Sequence, residues 1–215
     1  MSFEKILEII FPTKCMICNK IEERGICKKC ENNLKKDLLY KSYIKKDKYF
    51  NKHIFIAKYQ GIIRNKILDF KFNEKPYYAK GFTKLLIHNK KIYRLLQKYD
   101  IIIPVPIHKK RKKQRGYNQT ELIAGEIVKK IPNLKLEINI LKKIKNNKVQ
   151  STLNAIQREC NVQDVFFVQN PIMIKNKKIL LIDDIYTTGS TANECSRVLY
   201  MAGAKLIDVL TIAKD

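Results

Sequence analysis

"ILLIDDIYTTGSTANE", residues 179–194, joins an apolar run to two neighbouring aspartates and then to small hydroxyl residues set around one glycine. The segment "KILLIDDI" (178–185) reads as the strongest strand of the chain, and "STANECSRVLYMAGA" (190–204) as the helix that follows it. Adjacent carboxylates at a strand end raise each other's pKa, and desolvation adds to the cost, so Asp183 and Asp184 call for a ligand that rewards their charge. The turn from Thr187 to Thr191 offers backbone N–H groups, four hydroxyls and a helix N-terminus, together a nest for phosphate. It lacks the lysine of a G-x-x-x-x-G-K-[ST] loop, which disfavours a nucleoside triphosphatase. Phosphate on the turn with acidic groups just before it suits a ribose 5-phosphate: the carboxylates accept hydrogen bonds from ribose hydroxyls while Thr187, Thr188, Gly189, Ser190 and Thr191 hold the phosphate. Gly189 is expected because a backbone N–H has to approach the phosphate with no Cβ in the way.

Working outward, strands alternate with helices. "HIFIAKY" (53–59), "DIIIPVPI" (100–107), "LEINIL" (136–141), "DVFFV" (164–168) and "KLIDVLTIA" (205–213) read as strands. Residues 61–75, 79–99 and 118–131 read as helices. This alternation predicts an α/β fold with a parallel, doubly wound sheet, in which ligands sit at the carboxyl ends of strands, where Asp183 and Asp184 stand. The basic run "HKKRKKQR" (108–115) reads as a solvated loop.

Four of six cysteines are grouped as Cys15-x2-Cys18 and Cys27-x2-Cys30 with eight residues between the pairs. Two such knuckles complete a tetrahedral all-sulfur site, and the closed four-cysteine set predicts structural zinc rather than a catalytic metal. Cys160 and Cys195 stand alone in helical-looking stretches and read as small buried apolar residues. The three histidines, His53, His88 and His108, are scattered without a metal-ligand or triad pattern.

The chain has 215 residues and a net charge of +24, from 44 Lys+Arg against 20 Asp+Glu. Such a charge raises the expectation of a polyanionic partner. Only 7 of those 44 are Arg, and Lys is a flexible point charge without the planar fork of specific phosphate contacts, so the charge supports polyanion binding modestly. No apolar run is long enough to span a bilayer. The N-terminal "MSFEKILEIIFP" lacks the features of a signal peptide and reads as a short docking helix with Phe3, Ile6, Leu7 and Ile10 on one face. A cytoplasmic location without membrane insertion is expected.

The stretch Ile179–Thr191 resembles the signature of type I phosphoribosyltransferases: four apolar residues, two acids, two apolar residues, then T-T-G-x-T, with Tyr186 where an aliphatic residue is usual. A second segment, "DIIIPVPIHKKRKKQRGYNQTELIA" (100–124), is similar to the D-x-I-x-P-V-P…R-G-[FY]-N-Q-x-x-x-L-A signature of ComF proteins. A third, "KIKNNKVQSTLNAIQRECNVQDVF", places Gln150, Leu153, Arg158, Asn161 and Phe166 in that family's register, but has Lys143 and Asn147 where the family often has Arg and Thr. The N-terminal four-cysteine knuckle is also typical of that family.

The resemblance implies a type I phosphoribosyltransferase fold, with residues 1–50 supplying an N-terminal helix, zinc knuckle and linker and residues 51–215 the phosphoribosyltransferase-like domain. It further implies binding of 5-phosphoribosyl 1-pyrophosphate (PRPP) with Mg2+, and a role in natural transformation by DNA uptake. On that reading Asp183 and Asp184 face the ribose hydroxyls directly or through Mg2+. Pyrophosphate lies over the loop after Val105, where Arg115 is a candidate with Lys109, Lys110 and Arg111, while Lys71 and Arg158 are further candidates. Asn118 and Gln119 fix this loop or cap the next helix. Two functions stay open. One is a PRPP-binding competence factor that handles single-stranded DNA, with a competence helicase as partner. The other is an active transferase that moves phosphoribose to a nucleobase or amine.

Overall fold

The computed structural model describes residues 12–145 and 164–215. The expected N-terminal helix, and the segment holding Asn147, Gln150, Leu153, Arg158, Cys160 and Asn161, lie outside the described residues. Within them the chain takes the expected class: a mostly parallel sheet flanked by helices, with a small four-cysteine element at the N-terminal side.

The central strand β7 (Lys178–Tyr186) carries the opening motif. Its neighbours are β8 (Leu206–Lys214) on one side and β3 (Ile101–Pro104) on the other, both parallel to it. Beyond β8 come β2 (Lys52–Lys58), parallel, and β1 (Leu38–Ile44), an antiparallel edge. Beyond β3 lies β4, just Lys135–Leu136, giving the order β1-β2-β8-β7-β3-β4. The apolar run of β7 is continuous rather than alternating because both faces of the sheet are covered. Ile179 and Leu181 point into one core and Leu180 and Ile182 into the other, all at most 1% exposed.

One face is covered by α2 (Gly61–Phe72), α3 (Tyr78–His88), α4 (Lys90–Leu96) and α6 (Gln119–Val128). The other is covered by α7 (Ser190–Met201) and by a two-stranded antiparallel ribbon of β5 (Leu141–Lys143) and β6 (Phe166–Val168). Two further α-helices among the described residues are α1 (Lys28–Leu34), in the four-cysteine element, and α5 (Lys109–Arg115), after β3.

Three expectations change. The helix expected over 79–99 is two helices, because Asn89 takes an extended backbone and its side chain accepts hydrogen bonds from the N–H groups of Lys91 and Ile92 at 3.0 and 3.2 Å, capping α4. The strand expected over "LEINIL" is divided between β4 and the start of β5, with 137–140 turning between them. The basic run expected as a loop is helix α5, stopped by Gly116 at φ +82°.

The four-cysteine element is seated on α3 through two glycines. Gly25 adopts φ +74°, and a Cβ there would strike the backbone of Gly81. A Cβ on Gly81 would lie 2.7 Å from Met16 Sδ and 2.8 Å from the Gly25 carbonyl oxygen. Met16 and Ile26 are fully buried in the same core as Phe82 and Leu86 of α3. Lys84 adds polar ties, donating to the Ile26 carbonyl at 2.9 Å and pairing with Glu31 at 3.0 Å.

Gly81→Ala is therefore expected to destabilise the protein. The helix propensity of Ala favours the change by about 1 kcal/mol, but forcing a methyl against backbone costs about 1–3 kcal/mol. A drop in the urea midpoint is the expected outcome, and an unchanged or higher midpoint would show that this contact yields without cost.

Candidate functional site

The chain runs from β3 outward to β4 in one direction and from β7 outward to β8 in the other, so the strand order reverses between β3 and β7. Crossovers diverge to opposite faces there, leaving a crevice at the carboxyl ends of the strands. The β3 ladder ends opposite Ile182, and Asp183 and Asp184 emerge beyond it. Loops from both sides meet at this point: the Thr-rich turn after β7 and the segment through α5 after β3.

The two aspartates meet different surroundings. Asp184 is 4% exposed and held by two partners: Lys71 Nζ lies 2.8 Å from its Oδ1, and Gln119 Nε2 donates to its Oδ2 at 2.6 Å. Asp183, partly buried, accepts a hydrogen bond from the Asp184 N–H at 2.8 Å. Burial first and the Asp184 charge second push its carboxyl up to about 7, against the pull of Lys71, the Asp184 N–H and Lys143. The pair is poised to gain a proton or a cation near neutral pH. Lys143, beside Asp183, has its ammonium pushed below the usual range by burial and then by the charge of Arg111.

The turn after β7 needs its glycine for packing and backbone reasons of its own. Gly189 takes φ +80° and is the residue from which α7 starts. Thr188 Oγ1 and Ser190 Oγ lie 2.7 Å apart, bracketing it. A Cβ on Gly189 would overlap the ring of Tyr186, so glycine is demanded from beneath as well as by the backbone. That ring stacks on His53 with centroids 3.9 Å apart. His53 is wholly buried, and its pKa is lowered to about 3 by burial and then by Lys45 and Lys214, so the ring is neutral. The Thr211 hydroxyl donates to the Ala213 carbonyl at 3.1 Å, which leaves it to accept from His53 Nε2–H at 2.9 Å. The tyrosine that stands where an aliphatic residue is usual thus floors the turn, a packing that no local motif announces.

On the β3 side, Asn118 caps α6, accepting from the Thr120 N–H at 3.2 Å and donating to the Val105 carbonyl at 3.1 Å. Gln119 reaches inward instead, joining Asp184 to Arg115, whose Nη1 donates to Gln119 Oε1. Arg115 is partly buried and lies 5.3 Å from the centre of the Phe72 ring. Lys71 and Arg115 are therefore brought to the aspartates. Lys109 stands exposed at the start of α5, with no contact to them among the described residues, and Arg158 is outside those residues. Tyr117 packs on Phe70 at 5.6 Å and donates to the Phe70 carbonyl at 2.5 Å. Cys195 is fully buried, with its thiol pushed well up by burial, as expected of a small core residue. The contacts of Gln119 with Asp184, of Phe72 with Arg115 and of Tyr186 with His53 are tertiary, and no local motif specifies them.

The cysteines Cys15, Cys18, Cys27 and Cys30 place their sulfurs within 4.8 Å of one another. Cys18 and Cys27 sulfurs are 3.8 Å apart, close to the edge of a tetrahedron with metal–sulfur bonds of about 2.3 Å. Burial works against ionisation of Cys15, yet N–H groups of Cys18, Cys27 and Ile17 more than offset it and bring the thiol to about 7. Donors aimed at sulfur suit a bound thiolate, so this set fits a structural metal ion.

No family model matches the chain. It is 29% identical to Competence protein F of Haemophilus influenzae over 95% of this chain and 98% of that protein. It is 28% identical to Competence protein ComFC of Streptococcus pneumoniae, over 93% of this chain and 87% of that one. The chain is similar to competence proteins of the ComF type. DNA utilization protein YhgH of Escherichia coli K12 is more distant, 24% identical over 75% of this chain and 71% of its own length. Among solved structures, the glutamine PRPP amidotransferase of Bacillus subtilis gives a TM-score of 0.44 at 16% identity, covering 67% of this chain and 30% of that one. Adenine phosphoribosyltransferase from Leishmania tarentolae gives 0.42 at 12% identity, covering 76% and 91%. Likeness at that level says nothing of substrate. No helix among the described residues is long and apolar enough to cross a membrane.

Two outcomes follow from this geometry. A carboxyl with a raised folded pKa costs stability as pH climbs from its unfolded value near 3.8 to about 7, and the full cost persists above that. Asp183→Asn should raise the melting temperature at pH 8, by the equivalent of about 1–2 kcal/mol, and the gain should vanish toward pH 4. Equal melting curves at pH 8 would mean the charge is well solvated. For the cysteines, elemental analysis should find about one zinc per chain. Cys15→Ser should lose the metal and melt lower, because Met16 and Ile26 would leave the core they share with α3.

Proposed function

We propose that this chain binds PRPP with Mg2+ in the crevice between β3 and β7, and that it acts in the handling of single-stranded DNA during DNA uptake. The observation that carries the ligand is the acidic pair, with Asp184 tied to Lys71 and, through Gln119, to Arg115, set directly before a turn of hydroxyls and a left-handed glycine. Acid, base and phosphate nest at one strand end match the three parts of PRPP: ribose hydroxyls, pyrophosphate and 5-phosphate. The names of its relatives, competence and DNA utilization proteins, support the process.

In this reading the turn Thr187–Thr191 takes the 5-phosphate through backbone N–H groups and hydroxyls. Asp183 and Asp184 take the ribose hydroxyls, directly or across Mg2+. The cation supplies positive charge that keeps Asp183 ionised and screens the pyrophosphate. Lys71 leaves Asp184 to meet a pyrophosphate oxygen, which Arg115 meets from the opposite loop.

A second reading, transfer of phosphoribose to a nucleobase or amine, is favoured by the acidic pair itself. Displacing pyrophosphate develops positive charge on the ribose, and two carboxylates beside it would stabilise that charge without any nucleophile from the protein.

Calorimetric titration of Mg2+–PRPP into the wild type and into the Asp183→Asn, Asp184→Asn double variant tests the ligand. Binding to the wild type and its loss in the variant, by at least a hundredfold, is expected; a wild type that gives no heat and no displacement of a labelled analogue would end the reading. Release of pyrophosphate with an acceptor present would move the second reading to the front.

A further inference from the structure

Phe72 ends α2 with its ring 67% exposed, and the guanidinium of Arg115 lies over that ring at 5.3 Å. A single exposed apolar side chain is ordinary. This one, however, borders a cavity of about 260 Å3 lined by Lys71, Phe72, Glu74, Arg111, Gln114 and Arg115. The volume falls below the roughly 300–1,000 Å3 of pockets that enclose a drug-sized ligand. It is suited to one planar ring system, with an aromatic face and a guanidinium plane to stack on and polar groups at the edge. Glu74 is the discriminating member: its carboxylate opposes a phosphate but accepts hydrogen bonds from the amino or ring N–H groups of a base.

The platform is continuous with the acidic pair. Phe72 touches Arg115, Arg115 donates to Gln119, Gln119 donates to Asp184, and Asp184 pairs with Lys71, the residue next to Phe72. A ligand that draws Lys71 away from Asp184 shifts the whole ring of contacts. On the face of α5 turned away from the cavity stand Lys109, Lys110 and Lys113, all exposed, with Lys112, which pairs with Glu121 at 2.6 Å, along about 6 Å of helix. A free base has no use for these charges, whereas a strand with one base in the cavity would bring its phosphates to this basic helix.

We infer that Phe72 and Arg115 stack one base of a single-stranded nucleic acid whose backbone follows α5, and that Mg2+–PRPP at Asp184 alters the affinity of this platform. The inference rests on the DNA-handling reading and assigns it a surface. Coupling through the shared contacts is reciprocal, so strand and PRPP each change the other's binding by the same factor.

The test is fluorescence anisotropy with a labelled oligo-dT strand, with and without Mg2+–PRPP, for the wild type, Phe72→Ala and Phe72→Tyr. Loss of one stacked base is expected to weaken Phe72→Ala about tenfold, with the slope of log affinity against log salt unchanged because no phosphate contact is removed. Phe72→Tyr, which keeps the ring, should bind as the wild type does. A 2-aminopurine placed in the strand should be quenched by the wild type and by Phe72→Tyr but not by Phe72→Ala. PRPP titration of Phe72→Ala gives its own heat and shows the protein is folded. If the wild type binds oligo-dT and Phe72→Ala matches it, the platform is wrong while the DNA reading stands. If the wild type fails to bind the strand at low salt, both fall. Displacement of the strand by free thymidine at comparable concentration would overturn the assignment to a strand. Affinity unchanged by PRPP would overturn the coupling.

Discussion

Two like charges at the end of a central strand buried on both faces govern how the surrounding helices are placed. Strand β7 is apolar on both faces through Ile182, and each large aliphatic side chain it buries stabilises the fold by about 1.5–3 kcal/mol. The next two residues reverse that trend. Neutralisation comes from outside the strand: Lys71 from α2 and Gln119 from α6 hold Asp184, while Asp183 keeps a raised affinity for a proton. The protein therefore carries a local cost at the position where a cation or a polyhydroxyl ligand would remove it. Buried ionisable pairs of this kind cluster at functional sites because the fold has little else to gain from them.

The surroundings follow from that arrangement. For Lys71 to reach Asp184, α2 has to run with its last turn over the carboxyl end of β7, which leaves Phe72 facing outward. For Gln119 to do so, α6 has to begin at the crevice, and Asn118 starts it there by capping the helix and holding the Val105 carbonyl. Arg115 is then carried between Phe72 and Gln119 by the short helix α5. One ion pair and one amide bridge thus organise three helices around the switch point of the sheet. The four-cysteine element is joined to the same core from the far side of α3, where Gly25 and Gly81 let two backbones approach and Met16 fills the gap.

Local chemistry was legible where a motif is contiguous. Residues 179–191 announce a strand, an acidic pair and a glycine turn because each feature depends on neighbours in sequence, and the two C-x-x-C pairs announce a common sulfur site for the same reason. The uniform run of lysines misled: side-chain charge said solvated loop, whereas straight-chain residues with good helix propensity, closed by Gly116, form α5. Asn89 shows the opposite failure, a helical pattern that runs on unbroken until a side chain capable of capping both N–H groups interrupts it.

The sequence by itself determined the alternation of strands and helices, the position of Asp183, Asp184 and the Thr-rich turn at a strand end, and the grouping of four cysteines. These are consequences of periodicity, turn chemistry and ligand spacing, all short-range. Only the tertiary structure decided that Lys71 and Gln119 share Asp184, that Phe72 lies under Arg115, and that Tyr186 is wedged between His53 and Gly189. Gln119 and Asp184 stand 65 residues apart in sequence, and no propensity links them. They meet because the connection from β3 to β4 folds α6 back over the sheet, and the charge left at the end of β7 is met by the side chains that turn inward there.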